Sequence, residues 1–291
     1  NWRDKLTAVN GSTIRYDAIG NPLSDGTWTY TWQNGRQLQK MQKAGVTVEF
    51  VYNADGLRVQ KTVNGVVTGY TLHGKNVVHM TKGNDELHFF YDAQNRPAVV
   101  VYNGTAYAYV KSLQGDVIAI LDENGNTVVS YGYDAWGAPL WCTGELAETL
   151  GKVQPFRYRG YVFDEETGLY YLRSRYYTPK WGRFVNADSY IGKMTMLSHN
   201  LFLYCHNSPI FRIDASGCED TTPAPTPSAL PQETPLPTPR PSRPENWRDI
   251  FTKLEIQNAI SNAVRKVTEA MNDVAMYREA QQMIALGHGR V

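Results

Sequence analysis

Arg157, Arg159, Arg173 and Arg175 recur at every second position within two β-like segments, 154–163 and 169–177. Side chains alternate faces along a strand, so this spacing predicts four guanidiniums on one face and Phe156, Tyr158, Val162, Tyr170, Leu172 and Tyr176 on the other. Such an arginine face could bind an anion. Like charges across a sheet also need carboxylates, carbonyls or aromatic rings beside them, and the structural use is the default expectation. Cys142, Cys205 and Cys218 are irregularly spaced and odd in number, so neither a zinc site nor a disulfide framework is read, and buried thiols are expected. His73, His79, His88, His199, His206 and His288 show no metal-ligand spacing, so structural histidines and no metal are expected. No phosphate loop and no Gly-x-Ser-x-Gly elbow occur, so neither a small-molecule enzyme nor a cofactor is expected.

The elements that must position these residues are mainly strands. The 291 residues are 42% hydrophobic, enough for a sizeable core, and 19 Tyr, 7 Trp and 24 Gly favour pleated surfaces and tight turns over helix bundles. Tyr followed by Asp or Asn recurs at Tyr16-Asp17, Tyr52-Asn53, Tyr91-Asp92 and Tyr133-Asp134, each just before turn residues. Asn34-Gly35, Asn64-Gly65, Asn103-Gly104 and Asn124-Gly125 supply hairpin turns between β-formers. This is an internal repeat. One hairpin buries too little alone, so repeats are expected to stack into a continuous sheet in residues 1–140. Because the chain starts inside the pattern, these residues are read as the last turns of something longer. Between segments 154–163 and 169–177, Asp164 to Gly168 reads as a hairpin loop.

Residues 218–244 hold nine prolines among Thr and Ser and read as an extended linker, reaching up to ~80 Å if fully stretched. In residues 245–291, Trp247, Ile250, Phe251, Leu254, Ile260, Val264, Val267, Met271 and Val274 form one apolar helical stripe. That helix, 246–286, would need a protein partner or a copy of itself to cover it. Lys plus Arg (29) nearly balance Asp plus Glu (28), and a net charge of +1 implies neither nucleic acid nor an anionic membrane as partner. No apolar run is long enough to span a bilayer, and the first residues do not read as a signal peptide.

The stretch 158–188, from Tyr158-Arg159-Gly160-Tyr161 through Gly182-Arg183-Phe184 to Asp188, closely resembles the Rhs repeat-associated core, and 200–217, ending Asp214-Ala215-Ser216-Gly217, resembles its closing segment. With the upstream Tyr-Asp repeats, the chain resembles the C-terminal part of a bacterial YD-repeat (Rhs) protein over residues 1–217. The resemblance implies a β-sheet spiralling into a hollow shell or cocoon, a core plug at 141–217, and a variable C-terminal passenger. It implies a secreted or cell-surface delivery protein whose partners are the rest of its own shell and that passenger. A surface adhesion module that binds carbohydrate or protein is the alternative, and Trp28, Trp32, Trp136, Trp141 and Trp181 would be its candidate contacts.

In part of that family the core cuts itself with two aspartates. The matching positions are Asp188 and Asp214, with Gly217-Cys218 as the bond at risk. Ala215 stands where cleaving members carry proline, Cys218 where they carry leucine, and Ser189 to Lys193 replace an expected glycine-rich patch. Local turn formation explains both aspartates equally well, so an intact chain is the default expectation.

Overall fold

The Tyr-Asp repeats become turns of one kind. In the computed structural model, which describes residues 4–9, 11–188, 200–214 and 216–218, Asp92 Oδ1 accepts the backbone N–H groups of Gln94 and Arg96 at 3.0 and 2.9 Å. Asp17, Asn53, Asp122 and Asp134 make the same pair of bonds to the residues two and four further on. An Asx side chain thus satisfies the donors that the chain reversal leaves unpaired. The tyrosine before it reaches back to the previous hairpin: Tyr52 Oη donates to the Leu38 carbonyl, Tyr91 Oη to Val77 and Tyr133 Oη to Val117, at 2.8, 2.8 and 2.9 Å. One residue closes a turn and its neighbour ties that turn to the preceding unit.

The Asn-Gly turns do the same at the opposite ends of the strands. Asn64 lies in the left-handed region (φ 48°), accepts the Thr47 N–H on Oδ1 at 2.8 Å and donates Nδ2 to the Gly45 carbonyl at 3.0 Å. Asn103 repeats this bond to the Glu86 N–H. Fourteen strands, from Arg15–Tyr16 to Pro139–Thr143, therefore follow one another as a single antiparallel meander in sequence order. The register slips by a residue at Arg15/Tyr16, Val51/Tyr52, Phe90/Tyr91 and Gly132/Tyr133, directly before the Tyr-Asp turns. A bulge at one end of each long hairpin increases twist and bends the sheet, which is how a meander becomes a curved shell.

One face of the sheet is covered by core residues between 150 and 188, on which residues 200–214 pack in turn. Phe156 packs on Phe89, with ring centroids 4.9 Å apart, within a cluster that includes Met80, Leu87, Val100, Tyr109 and Ile120. Leu169, Tyr176 and Val185 pack instead on Leu38, Met41, Val48 and Phe50. The core thus touches both the early and the late strands of the sheet. Removing one repeat acceptor should loosen a unit without unfolding the whole: Asp134→Ala takes away the acceptor for Trp136 and Ala138. It is expected to cost about 1–2 kcal/mol in urea denaturation, against near zero for Ala135→Ser at the exposed neighbouring position.

Two expectations from the sequence need correction. Segment 154–163 is not one strand: Tyr158–Gly160 forms a 3-10 turn, with Arg159 at φ 56°, and Phe156 folds back to bridge Val162. Segment 169–177 is likewise two strands, Leu169–Tyr171 and Tyr176–Thr178, joined by a tight turn in which the Leu172 N–H donates to the Arg175 carbonyl and Arg173 sits at φ 64°. The loop at Asp164 to Gly168 does form a hairpin turn, pairing Asp164 with Leu169. Each added turn resets the alternation. Tyr170 therefore faces Tyr177 and Tyr204, whereas Tyr176 faces the opposite side, onto Phe50. The linker 218–244, apart from Cys218, and the helical segment 245–291 lie outside the described residues.

Candidate functional site

The turns that break the alternation also separate the four arginines. Arg157 is buried under the Tyr131 ring, 4.2 Å from its centroid, and donates to the carbonyls of Gly151 and Gln154. Arg159 points the other way, toward the Pro209 carbonyl and Asp116. Arg173 lines a cavity of about 290 Å³ between sheet and core, together with Arg58, Arg159, Tyr91 and Tyr161. Arg175 lies against the Phe184 ring at 3.5 Å. No common arginine face exists, because Arg159 and Arg173 occupy left-handed turn positions rather than strand positions.

Arg175 is the one of the four that meets the paired aspartates. Its Nη2 lies 2.8 Å from Asp188 Oδ2 and 3.8 Å from Asp214 Oδ2, and its Nε donates to the Gly217 carbonyl. Asp214 Oδ1 accepts the N–H groups of Gly217 at 2.7 Å and Ser216 at 3.1 Å, and the Asp214 N–H donates to Tyr161 Oη. Asp188 is fixed by its own N–H on the Leu201 carbonyl. Ser174 Oγ bonds the Ser216 carbonyl at 2.7 Å and lies 3.2 Å from Cys218 Sγ. Gly217 is at φ 77°, and a Cβ there would sit 2.7 Å from the Leu172 carbonyl oxygen, so only glycine lets this segment lie so close to the 172–175 turn. Two aspartates 26 residues apart and the peptide after Gly217 thus converge on one buried guanidinium. Burial pulls that guanidinium below its ordinary value, against the pull of Asp188 and Asp214.

A second cluster joins sheet to core and had no local signature. Asp164, fully buried, receives Arg58 at 2.6 and 3.1 Å and Lys61 at 3.0 Å; Lys61 also binds Glu166 at 2.7 Å. Burial opposes ionisation of Asp164, but Arg58 and then Lys61 outweigh it and hold the carboxyl below its usual range. Elsewhere on the sheet, three core tyrosines dock on consecutive carbonyls of the last repeat turn: Tyr158 on Ala135, Tyr177 on Trp136 and Tyr170 on Gly137, at 3.0, 2.7 and 2.7 Å.

The remaining candidates are scattered. Cys205 is buried and Cys142 and Cys218 are half-buried, and none of the three is in a disulfide. Trp28 is buried, Trp32, Trp136 and Trp181 are half-buried, and Trp141 is exposed beside Leu140 on the last strand of the sheet. The histidines lack metal spacing along the chain, yet strand register brings His79 and His88 together with Glu86. His199 and His288 lie outside the described residues.

A family profile described as the teneurin YD-shell matches residues 1–210. The chain belongs to the teneurin YD-shell family. The YD-shell assignment agrees with the meander, its repeated Tyr-Asp turns and the core seated on them. Among curated relatives, the tRNA nuclease WapA of Bacillus subtilis strain 168 is 40% identical over 225 residues, covering 75% of this YD-shell chain and 10% of WapA. The double-stranded DNA deaminase toxin A of Burkholderia cenocepacia is 25% identical over 173 residues, 60% of this chain and 11% of that protein. Among solved structures, the TcdB2-TccC3-Cdc42 crystal structure has a TM-score of 0.57 at 20% identity, covering 70% of this chain and 11% of that one. A Photorhabdus luminescens Tc holotoxin pore has a TM-score of 0.56, also at 20% identity, covering 71% and 11%. At that identity the likeness is one of fold. The chain spans about a tenth of the length of the WapA relatives it matches.

Proposed function

We propose that this chain is the closing end of a secreted or surface delivery shell that houses the segment following residue 218. The observation that carries this is the way the core is fixed across the sheet. The Asp164 cluster holds it to the strand Arg58–Val63, and the three tyrosines hold it to the final repeat turn some 75 residues further along the meander. A plug attached at both places covers that face of the sheet and sets the point from which the chain leaves, at Gly217 and Cys218. The nuclease and deaminase-toxin names of relatives fit a passenger that is toxic when free. The shell reading is tested with a reporter domain fused after residue 218 in place of residues 219–291, in cells that produce the protein. Added protease is expected to spare the reporter in the wild-type chain and to digest it in the Asp164→Ala variant. Equal digestion of both would remove the housing role.

Release of that segment by self-cleavage is a second reading, favoured by the convergence of Asp188, Asp214 and Arg175 on Gly217. Hydrolysis needs a base for water and a donor on the carbonyl oxygen. In this arrangement an aspartate would take the water proton while Arg175 Nε, already on the Gly217 oxygen, would stabilise the oxyanion, and the protonated aspartate would then pass that proton to the Cys218 nitrogen as the Gly217–Cys218 bond breaks. A cation between the carboxylates counters the repulsion on which a shared-proton dyad relies. The base-plus-arginine scheme suits these residues better.

A further inference from the structure

The strands Asn76–Lys82 and Asp85–Tyr91 pair so that His79 lies directly opposite His88 and Thr81 opposite Glu86. Alternation puts Met80, Leu87 and Phe89 on the other side, against Phe156 of the core. The His79–Glu86–His88 face is therefore the one turned away from the plug. Its two imidazoles stack with centroids 4.5 Å apart. Both direct Nε2 at the same carboxylate oxygen, Glu86 Oε1, at 3.0 Å from His79 and 3.4 Å from His88. Neighbouring donors on one tetrahedral zinc ion, each at about 2.0–2.1 Å from the metal, stand roughly 3.3 Å apart. These separations suit a shared ion, and all three donor atoms fall within 4.8 Å of one another. Thr71 Oγ1, 3.5 Å from His79 Nδ1, sits where an outer partner would steady that ring.

We propose that His79, Glu86 and His88 form a binding site for a divalent transition ion of the zinc, nickel and copper class, on the outer face of the shell. Two imidazole nitrogens and one carboxylate oxygen favour these ions over calcium or magnesium, which take oxygen ligands. The side chains are 27%, 57% and 31% exposed in the order His79, Glu86, His88, so an ion reaches them without opening the fold and completes its coordination with water. Because the ligands come from both arms of the hairpin closed at Gly83, the bound ion clamps one repeat shut. Without metal, the same geometry is one carboxylate oxygen in contact with two imidazole nitrogens.

Titration of the metal-stripped, tag-free chain with zinc chloride, followed by calorimetry, decides between these. One saturable zinc per chain is expected, with no heat from calcium chloride. His79→Ala and His88→Ala are each expected to weaken zinc binding by at least ~10-fold, while His73→Ala, at the end of the neighbouring strand, leaves it unchanged. Zinc is also expected to raise the melting temperature of the wild-type chain and not that of the His79→Ala/His88→Ala double variant. Both substitutions are at half-exposed positions, and the melting temperature without metal confirms that the double variant is folded. Absence of saturable binding in the wild type, or binding and thermal shift that persist in the double variant, would overturn the site.

Discussion

Asp164→Ala is expected to destabilise the protein by about 3–5 kcal/mol, because it leaves two buried cations without their shared counter-ion. The Arg58 side chain is 1% exposed and that of Lys61 7%, so water cannot replace the lost carboxylate. Arg58 also lies over the Tyr171 and Tyr70 rings and donates its backbone N–H to Tyr171 Oη, so its displacement disturbs the core as well as the sheet. Urea denaturation at neutral pH measures the loss. A change below about 1 kcal/mol would mean that the pair merely offsets its own desolvation, as buried ion pairs can. Replacing both partners, as in Arg58→Met with Asp164→Leu, separates these cases: recovery of most of the loss identifies uncompensated charge, rather than lost packing, as the cause.

The same cluster gives the stability a pH dependence with a fixed sign. The folded Asp164 carboxyl lies below its ordinary value of 3.8, so its contribution is complete above that value and is lost as pH falls through the folded value. Lys61 is raised above its ordinary 10.5: burial alone would lower it, but Asp164 and Tyr70 reverse this. Its share is present below 10.5 and is lost as pH rises through the folded value. Between these limits this contribution should be flat. The wild-type urea midpoint is therefore expected to fall on acidification below about pH 4, and to fall less steeply in the Asp164→Ala variant.

Residues 1–140 were legible in the sequence as stacked hairpins because the repeat is written locally, in Tyr-Asp and Asn-Gly pairs a few residues long. What each pair does was not legible. Tyr91 is defined by a carbonyl 14 residues earlier, and Asn64 by a hairpin turn 17 residues away, so the function of the pattern appears only once the strands are in register. The core was harder for the opposite reason. Alternating Arg and aromatic residues in 154–163 and 169–177 imitate long strands, and the left-handed turns at Arg159 and Arg173 carry little signal beyond Gly160 beside the first. Once those turns are placed, the supposed arginine face dissolves: Arg157 and Arg175 go to separate surroundings, and Arg159 and Arg173 share only the lining of one cavity. The Arg58–Asp164 pair spans 106 residues and the His79–His88 pair depends on register, so spacing along the chain could find neither. The aspartates were located through a resemblance; Arg175, which joins them, stands in the sequence only as one arginine of four.

Self-cleavage carries the largest all-or-none effect. On the release reading, intact mass of freshly purified wild-type chain shows two fragments, ending at Gly217 and beginning at Cys218, their masses summing to the whole plus one water. Asp188→Asn and Asp214→Asn are each expected to give one uncut mass, since an amide cannot take the water proton. Arg175→Lys keeps a cation but loses the guanidinium fork that reaches Asp188 and the Gly217 oxygen together, and should slow the break severely. Asp214 is almost fully buried and anchors the Ser216 and Gly217 N–H groups, so near-UV circular dichroism of each variant must match the wild type for its uncut mass to count. A single uncut mass in the wild type would discard release. Asp188 and Asp214 would then serve, through Arg175, to tether the departing chain to the plug, and the housed segment would have to act while still attached to its shell.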